Sequence, residues 1–152
     1  MPEPIGWQIQ ADLKSALDNI DGTGDYFYNL AIDYLEYDQN TFNALDALIS
    51  TRSVERVDDD VIAQARDHWE HTFDIRVAIP VGTGVAGEHD QRLLRAFTDV
   101  ARAVMTDPQR STLAIDTIVT GYDSSEYGSK RLACTVGVVV RYRTNKTDLT
   151  TK

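Results

Sequence analysis

The stretch DQRLLRAFTDVARAVMT, residues 90–106, decides the fold. Leu93, Phe97, Val100, Ala101 and Val104 recur three or four residues apart. On a 3.6-residue repeat they form one apolar stripe of a helix, with Arg92, Arg95, Asp99 and Arg102 on its other sides. Asp90 suits the N-cap, because its carboxylate can accept a free backbone N–H of the first turn. Asp107-Pro108 ends the helix, since proline donates no N–H and disfavours helical geometry just before it. Burying Leu93, Phe97, Val100 and Val104 contributes about 1.5–3 kcal/mol each. That sum rivals the net stability of a whole domain. The helix therefore has to lie on an apolar surface.

Strand-like runs on both sides of the helix supply that surface. In residues 73–81, Phe73, Ile75, Val77, Ile79 and Val81 share one parity, and Thr72, Asp74, Arg76 and Pro80 take the other. Period-two alternation gives one buried and one wetter face. Pro80 cannot donate to a ladder, so the strand ends or meets an edge there. Residues 113–121 read as a strand through Leu113, Ile115 and Val119. Residues 132–144 read as another through Leu132, Cys134, Val136, Val138, Val140 and Tyr142, with Arg141 and Arg143 on its other face. The turn-rich link YDSSEYGSK, residues 122–130, makes these two an antiparallel hairpin.

Further upstream, Ile5, Ile9, Leu13, Ala16, Leu17 and Ile20 have helical spacing, with Pro4 at the entry. Residues 26–37 favour an aromatic strand, and residues 47–56 a second strand. Asp58, Asp59, Asp60 and the residues up to Asp67 read as an exposed loop with a possible helical turn. The expected fold is α+β: a mixed, mostly antiparallel sheet of four to five strands, with two main helices on one face. Residues 1–144 form the single domain, and 145–152 a flexible tail.

The chain has 152 residues, a hydrophobic fraction of 42% and a net charge of −9. One domain with a full core is expected. The acidic balance argues against a nucleic-acid partner, because phosphate binding needs a basic footprint. Cys134 is the one cysteine, so no intramolecular disulfide forms. The sequence shows no span-length apolar run and no signal-peptide pattern, so a soluble protein folded in a cytoplasm is expected.

Candidate chemistry is thin. Gly82-Thr83-Gly84-Val85-Ala86-Gly87 matches G-x-G-x-x-G between a strand and a helix, the context of a dinucleotide site. Glu88 and Asp90 place negative charge where a pyrophosphate would sit, so a plain connecting loop is the preferred reading. His68, His71 and His89 lie close in sequence, and His68-Trp69-Glu70-His71 on a helical turn would bring two imidazoles together. H-x-x-H is common, however, and a strand follows at once. Asp58-Asp59-Asp60 lacks the spacing of a calcium loop. Cys134 sits mid-strand on the apolar face, as a buried small hydrophobe does. The expectation is no enzyme, no cofactor and no metal.

The layout as a whole resembles the tail terminator (tail-completion) proteins of long-tailed bacteriophages, small minor tail proteins that cap the tail tube. The resemblance runs through Leu13-Lys14-Ser15-Ala16-Leu17, then Ile20-Asp21-Gly22 with the aromatic segment, and Ala47-Leu48-Ile49. It continues through Phe73-Asp74-Ile75-Arg76-Val77 and the helix 92–105 with Asp107. It ends in Val136-Gly137-Val138-Val139-Val140-Arg141-Tyr142-Arg143-Thr144, so it covers roughly residues 5–144. It implies a structural protein of the virion neck, assembled in the host bacterial cytoplasm. Its subunits form a ring, typically of six, on the head-proximal end of the tail tube, stop tube growth and meet the head connector or stopper protein. The family has no single-residue signature. The expected subunit or tube contacts are Arg52, Arg56, Asp58, Asp59, Asp60, Arg141 and Arg143. No membrane and no sequence-specific nucleic acid are implied.

Overall fold

The computed structural model describes residues 1–34, 47–57, 66–127, 131–145 and 148–151. Two helices, α1 (Ile5–Leu17) and α2 (Glu88–Met105), accompany five strands: β1 (Ile32–Tyr34), β2 (Ala47–Val57), β3 (Arg66–Pro80), β4 (Asp116–Tyr127) and β5 (Arg131–Asn145). The sheet order is β1-β2-β3-β5-β4. β1 runs parallel to β2, and the other neighbours are antiparallel. This is the expected α+β class with a mixed, mostly antiparallel sheet.

One face of the sheet builds the core. Phe73, Ile75, Val77 and Ile79 of β3 and Leu132, Cys134, Val136, Val138, Val140 and Tyr142 of β5 are buried there. Register explains the match, since Phe73 pairs with Val138 and Ile75 with Val136, which puts their side chains on the same side. α1 adds Ile5, Ile9, Leu13 and Leu17, and α2 adds Leu93, Ala96, Val100, Ala103 and Val104 to the same cluster. Among the described residues, none from the opposite, outer face of β2, β3 or β5 belongs to it. α2 touches β3, β4 and β5, while α1 touches α2 and β1.

The structure corrects several expectations. The first helix stops at Leu17 rather than Ile20, although Ile20 is still buried. The aromatic strand shrinks to residues 32–34, and its expected end, residues 35–37, lies outside the described residues. β3 begins at Arg66, seven residues before Phe73, because β2 and β5 both pair with its early part. β4 starts at Asp116 and runs through most of the expected link to Tyr127. Ile115, expected on an apolar strand face, is exposed ahead of β4. α2 starts three residues early, at Glu88, and its N-cap is Gly87 with φ +80° in place of Asp90. Glycine carries that left-handed angle without a Cβ clash. Asp99, expected on the polar side of the helix, is fully buried.

That burial has a clear cause. The Asp99 carboxylate accepts the backbone N–H groups of Phe27 (3.0 Å) and Tyr28 (2.9 Å). Arg102 donates to the Asp25 carbonyl, and Arg95 lies 5.2 Å from the centre of the Phe27 ring. The polar side of α2 thus clamps the segment 25–28, with Asp99 buried beneath it and Arg95 and Arg102 exposed. At the far end of α2, Arg110 is fully buried and donates to the Val104 carbonyl, with Asp12 of α1 at 3.6 Å. Its φ of 47° is positive, as are those of Ser111 (54°) and Thr112 (69°), so the chain makes a left-handed turn where Pro108 forbids further helix.

Candidate functional site

Three places could carry function: the outer sheet face, the glycine loop, and a cleft at the extended end of the sheet. The outer face is read from register. Glu55, Glu70, Arg141 and Asp116 form one cross-strand row through β2, β3, β5 and β4. Leu48, Arg76, Thr135 and Asp123 form another. Opposed acids such as Glu55 and Glu70 repel, and a neighbouring arginine offsets the repulsion. Arg141 contacts Glu70 at 3.4 Å. Arg52 is the extra residue where the β2 register slips, and this bulge turns it onto Asp74 at 2.6 Å. The Asp74 hydrogen bond and charge raise the Arg52 guanidinium pKa further above its ordinary value.

The expected contact residues therefore divide. Arg52, Arg141 and Arg143 share the outer face. Arg56 pairs with Trp69, so it has the parity of the core face, and it lies 4.0 Å from Asp67. Asp58, Asp59 and Asp60 lie outside the described residues.

In the glycine loop, Glu88 occupies the anion position. Its Oε2 accepts from the Gly84 N–H (3.0 Å), the Val85 N–H (3.3 Å) and the Thr83 hydroxyl (3.1 Å), and Oε1 accepts from Arg92 Nε (3.2 Å). Burial pushes the Glu88 carboxyl up, but these hydrogen bonds outweigh it and hold the group below its ordinary pKa. A Cβ on Gly82 would collide with the same carboxylate. The donors a phosphate would need are already satisfied from within the chain.

The histidines do not converge. His68 and His71 lie on opposite faces of β3, because a strand alternates and three residues is an odd step. The helical turn that would have joined them is absent, and His89 sits on α2. Among the described residues no His, Cys, Asp and Glu group could hold a metal ion. Burial raises the Cys134 thiol to about 11, which keeps it protonated and unreactive.

The cleft was not legible in the sequence. It has a volume of about 300 Å³ and lies where β2, β3 and β5 run past the start of α1. Trp7, Val54, Trp69, Tyr142 and Leu149 make its apolar walls. Trp69 is oriented by its indole N–H, which donates to Thr144 Oγ1 at 2.9 Å. Leu149 arrives because residues 148–151 turn back, with its carbonyl accepting the Ile5 N–H at 3.0 Å. His71 stacks on Phe73 with ring centres 3.8 Å apart, and burial lowers its pKa to about 4. The recurrence of Trp69, His71 and Phe73 at period two was the available signal.

No family model matches the chain, and no curated protein matches it.

Proposed function

We propose that this protein is a tail terminator of a long-tailed bacteriophage. It acts without enzymatic chemistry, as one subunit of a ring, hexameric in the family it resembles. The ring caps the head-proximal end of the tail tube, stops its growth and presents a surface to the head connector. The order of elements carries this reading: an opening amphipathic helix, an aromatic segment clamped on α2, a long central strand and a closing hairpin. The resemblance implies the same order with an aromatic strand in second place, which here is only β1 (Ile32–Tyr34).

The surfaces support the same reading. A closed ring built head to tail needs two different faces on each subunit. The outer sheet face, with its rows of arginines and acids, offers one face of specific charge pattern. A net charge of −9 also suits a ring through which DNA must pass without adhering. Another neck or tail assembly protein of similar fold is the nearest alternative. A nucleotide-binding role for residues 82–87 is disfavoured by the Glu88 carboxylate seated on the loop amides.

The test is deletion of the protein from its assembly system, followed by measurement of tail lengths by electron microscopy. Overlong tubes, or tails that fail to join heads, are expected. Normal tails of uniform length would sink the proposal.

A further inference from the structure

α2 carries an apolar stripe that the sheet leaves uncovered. Leu94, Ala101 and Met105 recur at helical steps beside Phe97, and Leu94 is 49% and Met105 45% exposed. The stripe lies on the β4 side of the helix. Asp99 and Arg102 on the opposite flank hold the segment 25–28, whereas the Phe97 ring meets Tyr122 of β4 with centres 5.2 Å apart. α2 runs antiparallel to β4, because the Pro108 carbonyl, just past the helix, accepts from the Thr117 hydroxyl near the start of the strand. Met105 therefore stands over the first part of β4 and Leu94 over the later part.

β4 ends the sheet order, and among the described residues no strand lies on its outer side. Its core-face residues Val119 and Tyr122, like Phe97 above them, are only partly buried. The core is thus unfinished at this edge in both layers, helix and sheet. On the other face of β4, Asp116 and Asp123 are exposed. They stand opposite Arg141 and Thr135, six residues apart on β5. They share that face because Thr120 is the extra residue at the register shift, with its hydroxyl lying over Gly137. Asp116–Tyr127 contains three acids and no lysine or arginine.

We propose that the outer edge of β4 takes an added β-strand from a protein partner, with apolar side chains turned to α2 and basic ones to the opposite face. The row of main-chain N–H and C=O groups on an edge strand matches another extended peptide backbone. The overhanging stripe of Leu94, Ala101 and Met105, with Phe97 and Tyr122 beside it, selects apolar residues at every second position of that strand. Asp116 and Asp123 select bases at the positions between, at the same six-residue interval, since opposite charges across a strand pair attract. A second copy of this chain does not fit. Its β4 edge would set acid against acid, and β1, at the other end of the sheet, offers three residues with an exposed Asp33 and no base. This inference goes beyond the tail-terminator reading and does not rest on it.

The purified protein is titrated into a fluorescently labelled nonapeptide at about 150 mM salt, where distant charges are screened. Valine fills the odd positions of the peptide, arginine the second and eighth, and threonine the fourth and sixth. Fluorescence anisotropy should saturate, and amide hydrogen exchange should slow most within residues 116–124. The same peptide with every backbone nitrogen methylated keeps its charge and side chains but donates no main-chain hydrogen bond, so it should bind about tenfold more weakly or worse. Glutamate in place of both arginines should weaken binding as well. Leu94→Glu and Met105→Glu change exposed positions, and should keep the far-ultraviolet circular dichroism spectrum while lowering affinity about tenfold. No saturation, unchanged exchange within 116–124, equal binding of the methylated or the glutamate peptide, or undiminished binding by both variants would each overturn the proposal. No tail assembly enters the measurement, so its failure leaves the terminator reading untouched.

Discussion

At the scale of single residues, Asp99 and His71 show how a polar side chain can be buried at opposite consequence. Asp99 is fully satisfied: its carboxylate takes two backbone N–H groups and holds the segment 25–28 on α2. Removing it leaves both donors without their charged acceptor. Asp99→Ala should cost about 3 kcal/mol in urea denaturation, and Asp99→Asn less, since the amide oxygen still accepts. A loss within the scatter of surface substitutions would refute the clamp. His71 is instead buried with a lowered pKa of about 4 and, among the described residues, has only Thr51 as hydrogen-bond partner. The unfolded chain binds a proton at this site below about pH 6.5, whereas the folded chain does so only below about 4. Stability is therefore whole above pH 6.5 and declines as pH falls through the window between. The decline due to His71 should be about 2 kcal/mol from pH 7 to pH 5. His71→Phe should flatten that slope in denaturation curves across the window, and an unchanged slope would assign the proton elsewhere.

At the scale of elements, the loop 82–87 and α2 form one unit joined by Glu88. Glu88→Ala releases the amides of Gly84 and Val85 and one partner of Arg92. Hydrogen exchange at those two amides should quicken, while core amides of β3 and β5 keep their protection. Exchange at Gly84 and Val85 as slow as in the parent would show that the loop is held by something else. The same unit shows what pattern reading can reach. The apolar stripe of α2 is visible because Leu93, Val100 and Val104 follow the helical period. The role of Asp99 is not, because its partners are backbone groups 71 and 72 residues away. β3 alternates clearly from Phe73 onward, but His68-Trp69-Glu70-His71 mixes polar and aromatic residues, and only pairing on both sides makes it strand. The polar end of β4 reads as a turn for a related reason: it is the edge strand, where one side faces no neighbour in the sheet order. Of the cleft the sequence offered only the period-two run through Trp69 and His71, since it gathers Trp7, Trp69, Tyr142 and Leu149 from four separate parts of the chain.

At the scale of the whole molecule, charge is unevenly shared. The outer sheet face sets Arg52, Arg76, Arg131, Arg141 and Arg143 against Glu55, Glu70, Asp74, Asp116 and Asp123, so it is close to neutral in a chain of net charge −9. The excess acid lies elsewhere, which leaves the arginines of this face able to meet an acidic surface on a neighbouring subunit or on the tube. The choice of arginine decides how cleanly that can be tested. Arg141 is paired with Glu70 and stands opposite Asp116, so reversing its charge would disturb the sheet as well as any contact. Arg143 is exposed and makes no ion pair among the described residues. Arg143→Glu should therefore keep the fold, with a melting temperature within about 2 °C of the parent, as expected of a surface change. If the outer face is a ring or tube contact, the same substitution should leave tails overlong or unjoined to heads when viewed by electron microscopy. Restoration by a compensating charge reversal on the facing partner would locate the contact. Normal tail completion by Arg143→Glu would remove this part of the face from the assembly interface.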